Sequence, residues 1–134
     1  MEIAEMAATR ATCDRLHVGC VLVKNHRIIA TGYNGSISGH DHCEDIGHLM
    51  HENGCKRTIH AEMNALLQCA KHGIATEGAT AYVTHYPCPD CMKSLNQAGI
   101  QTIYYKHYYP HRYENNFHEG MEVISYDAIS ETNL

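Results

Sequence analysis

Residues 58–105 read TIHAEMNALLQCAKHGIATEGATAYVTHYPCPDCMKSLNQAGIQTIYY and alternate between helix-forming and strand-forming segments. The Ala- and Leu-rich run over 59–71 predicts a helix that Thr58 caps and Gly73 ends. A strand is predicted over 79–85, a second helix over 89–98 and a further strand over 100–105. This alternation is typical of an α/β protein.

The flanking segments extend the same pattern. Two apolar runs over 18–23 and 28–31 predict a β-hairpin, and 3–12 has the composition of a helix. A last strand is expected around 123–126, after a Tyr-rich tail that is compatible with a short helix. We therefore predict a three-layer α/β/α sandwich on a mixed sheet of about five strands. At 134 residues, the chain is expected to form a single domain over 1–134.

Composition excludes several classes of protein. The chain holds 7 Cys and 12 His, and both residues are common metal ligands. It shows no signal-peptide pattern and no apolar run of about 18 residues, so we expect a cytoplasmic protein without a membrane span. A reducing compartment favours metal binding or burial of the cysteines over disulfides. The net charge of −5 disfavours a broad nucleic-acid-binding surface.

Two motifs within residues 58–91 point to chemistry. A Cys-x-x-Cys pair alone is ambiguous between redox chemistry, metal binding and no function, but Pro87 precedes Cys88 and a predicted helix follows. Cys88 and Cys91 would then lie on one helix face, where both sulfurs can bind a single ion. His60 would be the third ligand and leave a fourth position for water, as in a catalytic zinc site. Glu62 lies close enough in sequence to act as acid and base, although positions i and i+2 do not share a helix face.

The combination of H-x-E with P-C-x-x-C is the signature of zinc nucleobase deaminases. Over about Arg10 to Tyr109, the chain resembles the deoxycytidylate (dCMP) deaminase family. The resemblance rests on six segments of this sequence: Thr12–Arg15, Val18–Gly19, Thr31–Gly35, His60–Ala65, Tyr82–His85 and Pro87–Cys91.

The resemblance implies a hydrolase acting on a cyclic amidine C–N bond, which deaminates dCMP to dUMP for thymidylate synthesis. A zinc ion would activate water for attack on C4 of cytosine, and Glu62 would carry protons to N3 and to the departing amino group. By the same resemblance, Asn34 contacts the nucleotide sugar, although Asn followed by Gly is also a common turn pair. Tyr109, after the strand that ends near Tyr105, is expected either to line the site or a subunit interface or to pack as an ordinary residue of the Tyr-rich tail. The family further implies a homohexamer, activation by dCTP and inhibition by dTTP, with Mg²⁺ accompanying the allosteric triphosphate.

A second cluster of Cys and His lies in the Gly-rich stretch from Gly35 to Arg57. By the resemblance, an additional structural zinc is expected, held by Cys13 upstream together with residues of this stretch. Its four expected ligands are Cys13, Cys43, His48 and Cys55. The competing interpretation is a polar loop with free Cys and His. Cys20 and Cys69 are expected to be buried apolar side chains.

Other functions fit parts of the pattern. A transfer-RNA adenosine deaminase has the same zinc signature, but the acidic charge and the Cys/His-rich insertion favour a free nucleotide. A free-nucleoside cytidine deaminase usually has Cys at the position of His60. A non-catalytic zinc module would have no use for Glu62, and His60 and Glu62 upstream disfavour a thiol oxidoreductase.

Overall fold

The computed structural model describes residues 1–11, 16–36, 58–110 and 117–127, together with the backbone of 50–51 and 54–55. Its helices are α1 (Glu2–Ala8), α2 (Ala61–His72) and α3 (Pro89–Gln97). Its strands are β1 (Gly19–Lys24), β2 (Arg27–Tyr33), β3 (Met50–His51), β4 (Gly54–Cys55), β5 (Thr80–His85), β6 (Thr102–His107) and β7 (Glu122–Ser125). Within these ranges, none of the helices combines the length and apolar character that a membrane crossing needs.

Five strands form one mixed sheet in the order β2-β1-β5-β6-β7. Strand β1 is antiparallel to both β2 and β5, whereas β6 is parallel to both β5 and β7. Strands β3 and β4 form a separate two-stranded hairpin within the Cys/His-rich stretch. The prediction of a mixed sheet of about five strands is confirmed.

Helices cover both faces of this sheet, as the close approach of a helix backbone to each of two strand glycines shows. A Cβ on Gly19 would lie 1.8 Å from the carbonyl oxygen of Ala4 in α1, and a Cβ on Gly32 would lie 2.2 Å from that of Ala61 in α2. Gly32 pairs with Cys20, the residue after Gly19, and successive strand residues point to opposite faces. Helices α1 and α2 therefore lie on opposite faces, which confirms the three-layer sandwich.

The main core fills the space between the sheet and α2. Cys20 and Cys69 are fully buried in it, as expected. Helix α3 packs beside α2 and contributes two further core side chains, Met92 and Leu95. On the other face, an ion pair between Lys106 of β6 and Glu5 links α1 to the parallel half of the sheet.

Three predicted boundaries are wrong, each for a local reason. Helix α2 begins at Ala61, not at Ile59, because Ile59 forms an extended bridge with Gly35. Strand β6 begins at Thr102 because the N–H of Ile100 donates to the carbonyl of Leu95 and closes the end of α3 around left-handed Gly99. Helix α1 ends at Ala8, where the chain tightens into turns with bonds to the third residue back.

The close approach at Gly32 leads to a prediction about stability. We expect Gly32→Ala to lower the free energy of unfolding by at least about 3 kcal/mol, because the rigid backbone of α2 occupies the place of the new methyl group. Gly73→Ala is the control: Gly73 has φ +67 and open space around it, so only backbone strain of about 1 kcal/mol is expected. Urea unfolding measures both, and equal losses would contradict the steric account.

Candidate active site and metal centre

Three side chains from the two sequence motifs converge at the start of α2 and α3. Nδ1 of His60 lies 3.4 Å from the sulfur of Cys88 and 3.4 Å from that of Cys91. The three donor atoms lie within 4.8 Å of one another. Among the described residues, these three side chains form a group that could hold a metal ion. Zinc bonds of about 2.0–2.3 Å in a tetrahedron separate nitrogen and sulfur ligands by about 3.6–3.8 Å. The donor set therefore fits one zinc ion.

The local sequence explains why these donors meet. Cys88 is the N-cap of α3, Pro89 occupies the first turn, and the Cys88 sulfur accepts the backbone N–H of Cys91 at 3.5 Å. Cys91 follows one turn later, so both sulfurs lie on the same side of the helix. Their position at a helix N-terminus also favours the thiolate form that binds metal.

His60 is likewise an N-cap, with extended backbone at φ −65° and ψ 151°. It is not part of the helix, so the rule that i and i+2 point to different helix faces does not apply to His60 and Glu62. This resolves the difficulty that the spacing raised. The imidazole can turn toward the two sulfurs while Glu62 lies in the first turn of α2.

Protons in this group are shared unequally. The pKa of Cys88 is lowered to about 4, first because the Cys91 thiol donates a hydrogen bond to it and further because His60 does. The same hydrogen bond, together with burial, raises the pKa of Cys91. The Cys88 sulfur in turn raises the pKa of His60. Cys88 is thus held as a thiolate at neutral pH, as a metal ligand requires.

Glu62 is buried beside the donor set, with 4% of its surface exposed. Burial raises its pKa to about 7, and the negative charge of Cys88 adds to the effect, while His60 and a hydrogen bond with Cys91 oppose it. A carboxyl group with a pKa near neutrality can both accept and donate a proton under physiological conditions.

The remaining predicted site residues lie at the same edge of the sheet or outside the described residues. Asn34 follows β2 and Tyr109 follows β6, and Cys88 follows β5 at the matching end. The Asn34 side chain accepts the N–H of Val18 at 2.8 Å and donates to the carbonyl of Leu16 at 2.6 Å. Tyr109 is 44% exposed.

The expected second zinc site falls mostly outside the described residues. Cys13, Cys43 and His48 are not among them. Cys55 is described by its backbone alone, in β4, where it pairs with Met50. The four-ligand set therefore stays a prediction.

Sequence reasoning missed two polar groups at this edge. Asn64 donates from Nδ2 to the carbonyls of Tyr33 at 2.8 Å and Ile59 at 3.3 Å. Thr84 accepts the N–H of Gly19 at 3.1 Å and bonds to Nδ1 of His85 at 2.8 Å. A polar side chain in the first turn of α2 was the available signal for Asn64. Its acceptors are backbone groups, which no residue type reveals.

A buried acid beside three metal ligands is the arrangement of a hydrolytic zinc deaminase and not of a closed structural zinc site. The sandwich fold places this acid and the ligands at one sheet edge. The chain belongs to the cytidine and deoxycytidylate deaminase family, because residues 1–107 match the family's "Cytidine and deoxycytidylate deaminase zinc-binding region".

Individual relatives support the same family. ComE operon protein 2 of Bacillus subtilis is 54% identical over 89% of this chain, which spans 64% of that longer protein. Deoxycytidylate deaminase of Enterobacteria phage T4 is 36% identical over 78% of this chain and 74% of its own length. The crystal structure of dCMP deaminase from cyanophage S-TIM5 in complex with dCMP and dUMP superimposes with a TM-score of 0.81. It is 34% identical and covers 92% of this chain and 91% of its own.

Proposed function

We propose that this chain catalyses the zinc-dependent hydrolysis of dCMP to dUMP with release of ammonia, and so supplies dUMP for thymidylate synthesis. The observation that carries the proposal is the burial of Glu62 beside His60, Cys88 and Cys91. A non-catalytic zinc module gains nothing from a buried carboxyl group next to its ligands, since burial of a charge costs free energy. The phage relatives, which carry the name of this activity, support the substrate.

The chemistry follows from the position of the acid. When bound, zinc supplies the Lewis acidity that makes water a nucleophile near neutral pH. Glu62 takes a proton from the attacking water and delivers it to N3 of cytosine. As N3 is protonated, the water oxygen forms a bond to C4. Glu62 then moves the second water proton to the exocyclic amino group, the bond between C4 and that nitrogen breaks, ammonia leaves and the oxygen remains as the C4 carbonyl of dUMP. A pKa of about 7 suits Glu62 to both transfers.

The substrate contacts are proposed at the ends of β2 and β6. The Nδ2 group of Asn34 carries two hydrogens, and one of them donates to Leu16, so the other can reach a sugar hydroxyl. Tyr109 lies past the end of β6 with its ring partly exposed, where it can line the nucleotide pocket or a subunit boundary. Ligands of open α/β sheets bind at this kind of edge.

The other expectations are also proposals. We infer a single deaminase domain over 1–134, a homohexamer, and regulation by dCTP and dTTP with Mg²⁺ beside the triphosphate. A second zinc ion on Cys13, Cys43, His48 and Cys55 would raise the content to two per chain. The buried free thiols of Cys20 and Cys69 support a reducing, cytoplasmic location.

A substrate panel tests the proposed function. The zinc-loaded protein is incubated separately with dCMP, CMP, deoxycytidine and adenosine-bearing transfer RNA, and deamination is followed by absorbance and by ammonia release. We expect turnover of dCMP alone. Turnover confined to transfer RNA would show that the chain is a transfer-RNA adenosine deaminase of the same fold. No turnover of any substrate would favour a non-catalytic zinc protein.

A further inference from the structure

The first turn of α2 carries a second polar side chain besides Glu62. Asn64 is half-buried, and its Nδ2 group donates to two backbone carbonyls, those of Tyr33 at 2.8 Å and Ile59 at 3.3 Å. Its backbone N–H donates to the carbonyl of His60 at 2.9 Å. Asn64 therefore bonds to the end of β2 and to the residue just before a metal ligand.

These two segments also bond directly to each other. Gly35 donates to the carbonyl of Ile59 at 3.1 Å, and Ile59 donates back to the carbonyl of Gly35 at 2.8 Å. Asn34, between Tyr33 and Gly35, bonds in turn to Val18 and Leu16. We call the Gly35–Ile59 bridge with the two Asn64 bonds the amide clamp. It holds the segment 33–35 one strand spacing, about 4.8 Å, from the chain that leads into His60.

The segment 33–35 needs such support because of its place in the sheet. Strand β2 is an edge strand, with β1 as its neighbour on one side. Among the residues that the structure describes, no further strand pairs with its outer side, so the bonds to α2 and Ile59 set the distance of the chain after Tyr33 from the metal ligands. A segment whose conformation is already fixed before the ligand binds loses no conformational entropy on binding.

We propose that Asn64 is a positioning residue of the nucleotide site. Through the amide clamp it holds residues 33–35 at a fixed distance from His60, so that the sugar of the substrate contacts an already ordered segment while its base reaches the metal. The inference rests on the proposed function. It assigns Asn64 to substrate affinity and not to proton transfer or metal binding.

Asn96 provides a matched control from the same structure. Its Nδ2 group also donates to two backbone carbonyls, those of Phe117 at 3.1 Å and Glu119 at 2.8 Å, and it also lies on a helix. Its acceptors lead to β7, away from the metal ligands. If Asn64 has a purely structural role, the two asparagines should respond alike to removal of the amide.

The kinetic experiment compares Asn64→Ala with Asn96→Ala in zinc-loaded protein. We expect Asn64→Ala to raise KM for dCMP about tenfold with kcat within about threefold, because the loss is one of binding shared by ground state and transition state. Zinc content should stay at the wild-type value. Asn96→Ala should leave KM unchanged, even if both variants lose similar thermal stability. Equal KM values for the two variants would overturn the inference.

An exchange experiment separates this inference from the proposed function. Hydrogen–deuterium exchange of the Gly35 and Ile59 amides in the zinc-loaded protein, without nucleotide, should be at least about tenfold faster in Asn64→Ala and unchanged in Asn96→Ala. If the wild type fails to turn over dCMP, the proposed function fails, yet exchange still decides whether Asn64 holds the segment 33–35 in place. Unchanged protection in Asn64→Ala would overturn it. Should that variant not fold, Asn64→Ser, with one donor, serves for both measurements with a smaller shift.

Discussion

Glu62→Gln is expected to lower kcat for dCMP deamination by about 10³-fold or more, because an amide cannot carry the protons from water to N3 and to the leaving amine. Gln has nearly the same shape as Glu and fills the same buried position. Glu62 is not one of the three donors of the metal site, so elemental analysis should find the same zinc content per chain as in the wild type. The measurement is single-substrate kinetics on dCMP with zinc determined on the same sample.

Stability should move in the opposite direction to activity. Burial raises the pKa of Glu62 to about 7, so the folded protein holds this proton more tightly than the unfolded chain does. Ionisation of Glu62 therefore lowers the free energy of unfolding, and this loss grows as the pH rises from 4.5, the ordinary pKa of a glutamate side chain, toward 7. Gln carries no such cost, and in the zinc-free protein the variant should be at least as stable as the wild type at pH 7 and above.

The control for this prediction is Glu122→Gln, the same chemical change at an exposed position on β7. It should leave kcat, KM and zinc content unchanged. Activity of Glu62→Gln within tenfold of the wild type would show that another group moves the protons. Loss of zinc in Glu62→Gln would instead show that the carboxylate binds the metal.

Cys91→Ala is expected to remove one zinc ion per chain and to reduce deamination below detection. Two remaining donors, His60 and Cys88, do not hold zinc with the affinity of three. Because a metal that binds the folded state stabilises it, the melting temperature should fall as well, and added zinc should restore little of it. Elemental analysis, kinetics and thermal unfolding on one preparation measure the three effects.

Cys69→Ala is its control. Both thiols are buried in helices, Cys91 at 1% and Cys69 at 0% exposure, so the two changes delete the same group from equally buried positions. We expect Cys69→Ala to keep its zinc and its activity and to lose only packing, at a cost of about 1 kcal/mol. Parallel loss of zinc in both variants would mean that Cys91 acts through folding and not as a ligand.

Local patterns in the sequence predicted most of the fold. Apolar runs and alternation located the five strands of the mixed sheet, and Gly73 ended α2, as expected, in a left-handed conformation (φ 67°). Strands β3 and β4 were not predicted. The predicted helix start at Ile59 was wrong because Gly35, a partner that the local sequence does not reveal, holds Ile59 extended. Errors of this kind arise where a contact between distant segments overrides the preference of the local residues.

The candidate metal ligands and the candidate acid could be nominated without coordinates, because their residue types and spacing in combination are typical of one chemistry. Cys88 and Cys91 are one helical turn apart, and that relation follows from chain geometry alone. The burial of Glu62, its pKa of about 7 and the placement of His60 outside the helix required the packed structure. They depend on how α2 and α3 meet the sheet.

Asn64 shows most clearly what the sequence alone could not predict. The motif already contains this residue, but the carbonyls that it binds belong to Tyr33, 31 positions away, and to Ile59. Every residue has the same backbone carbonyl, so no sequence pattern says which ones a side-chain amide will meet. Donor types, their spacing and the alternation of elements are local properties and can be read along the chain. Distances, burial and the amide clamp arise only when distant segments pack together.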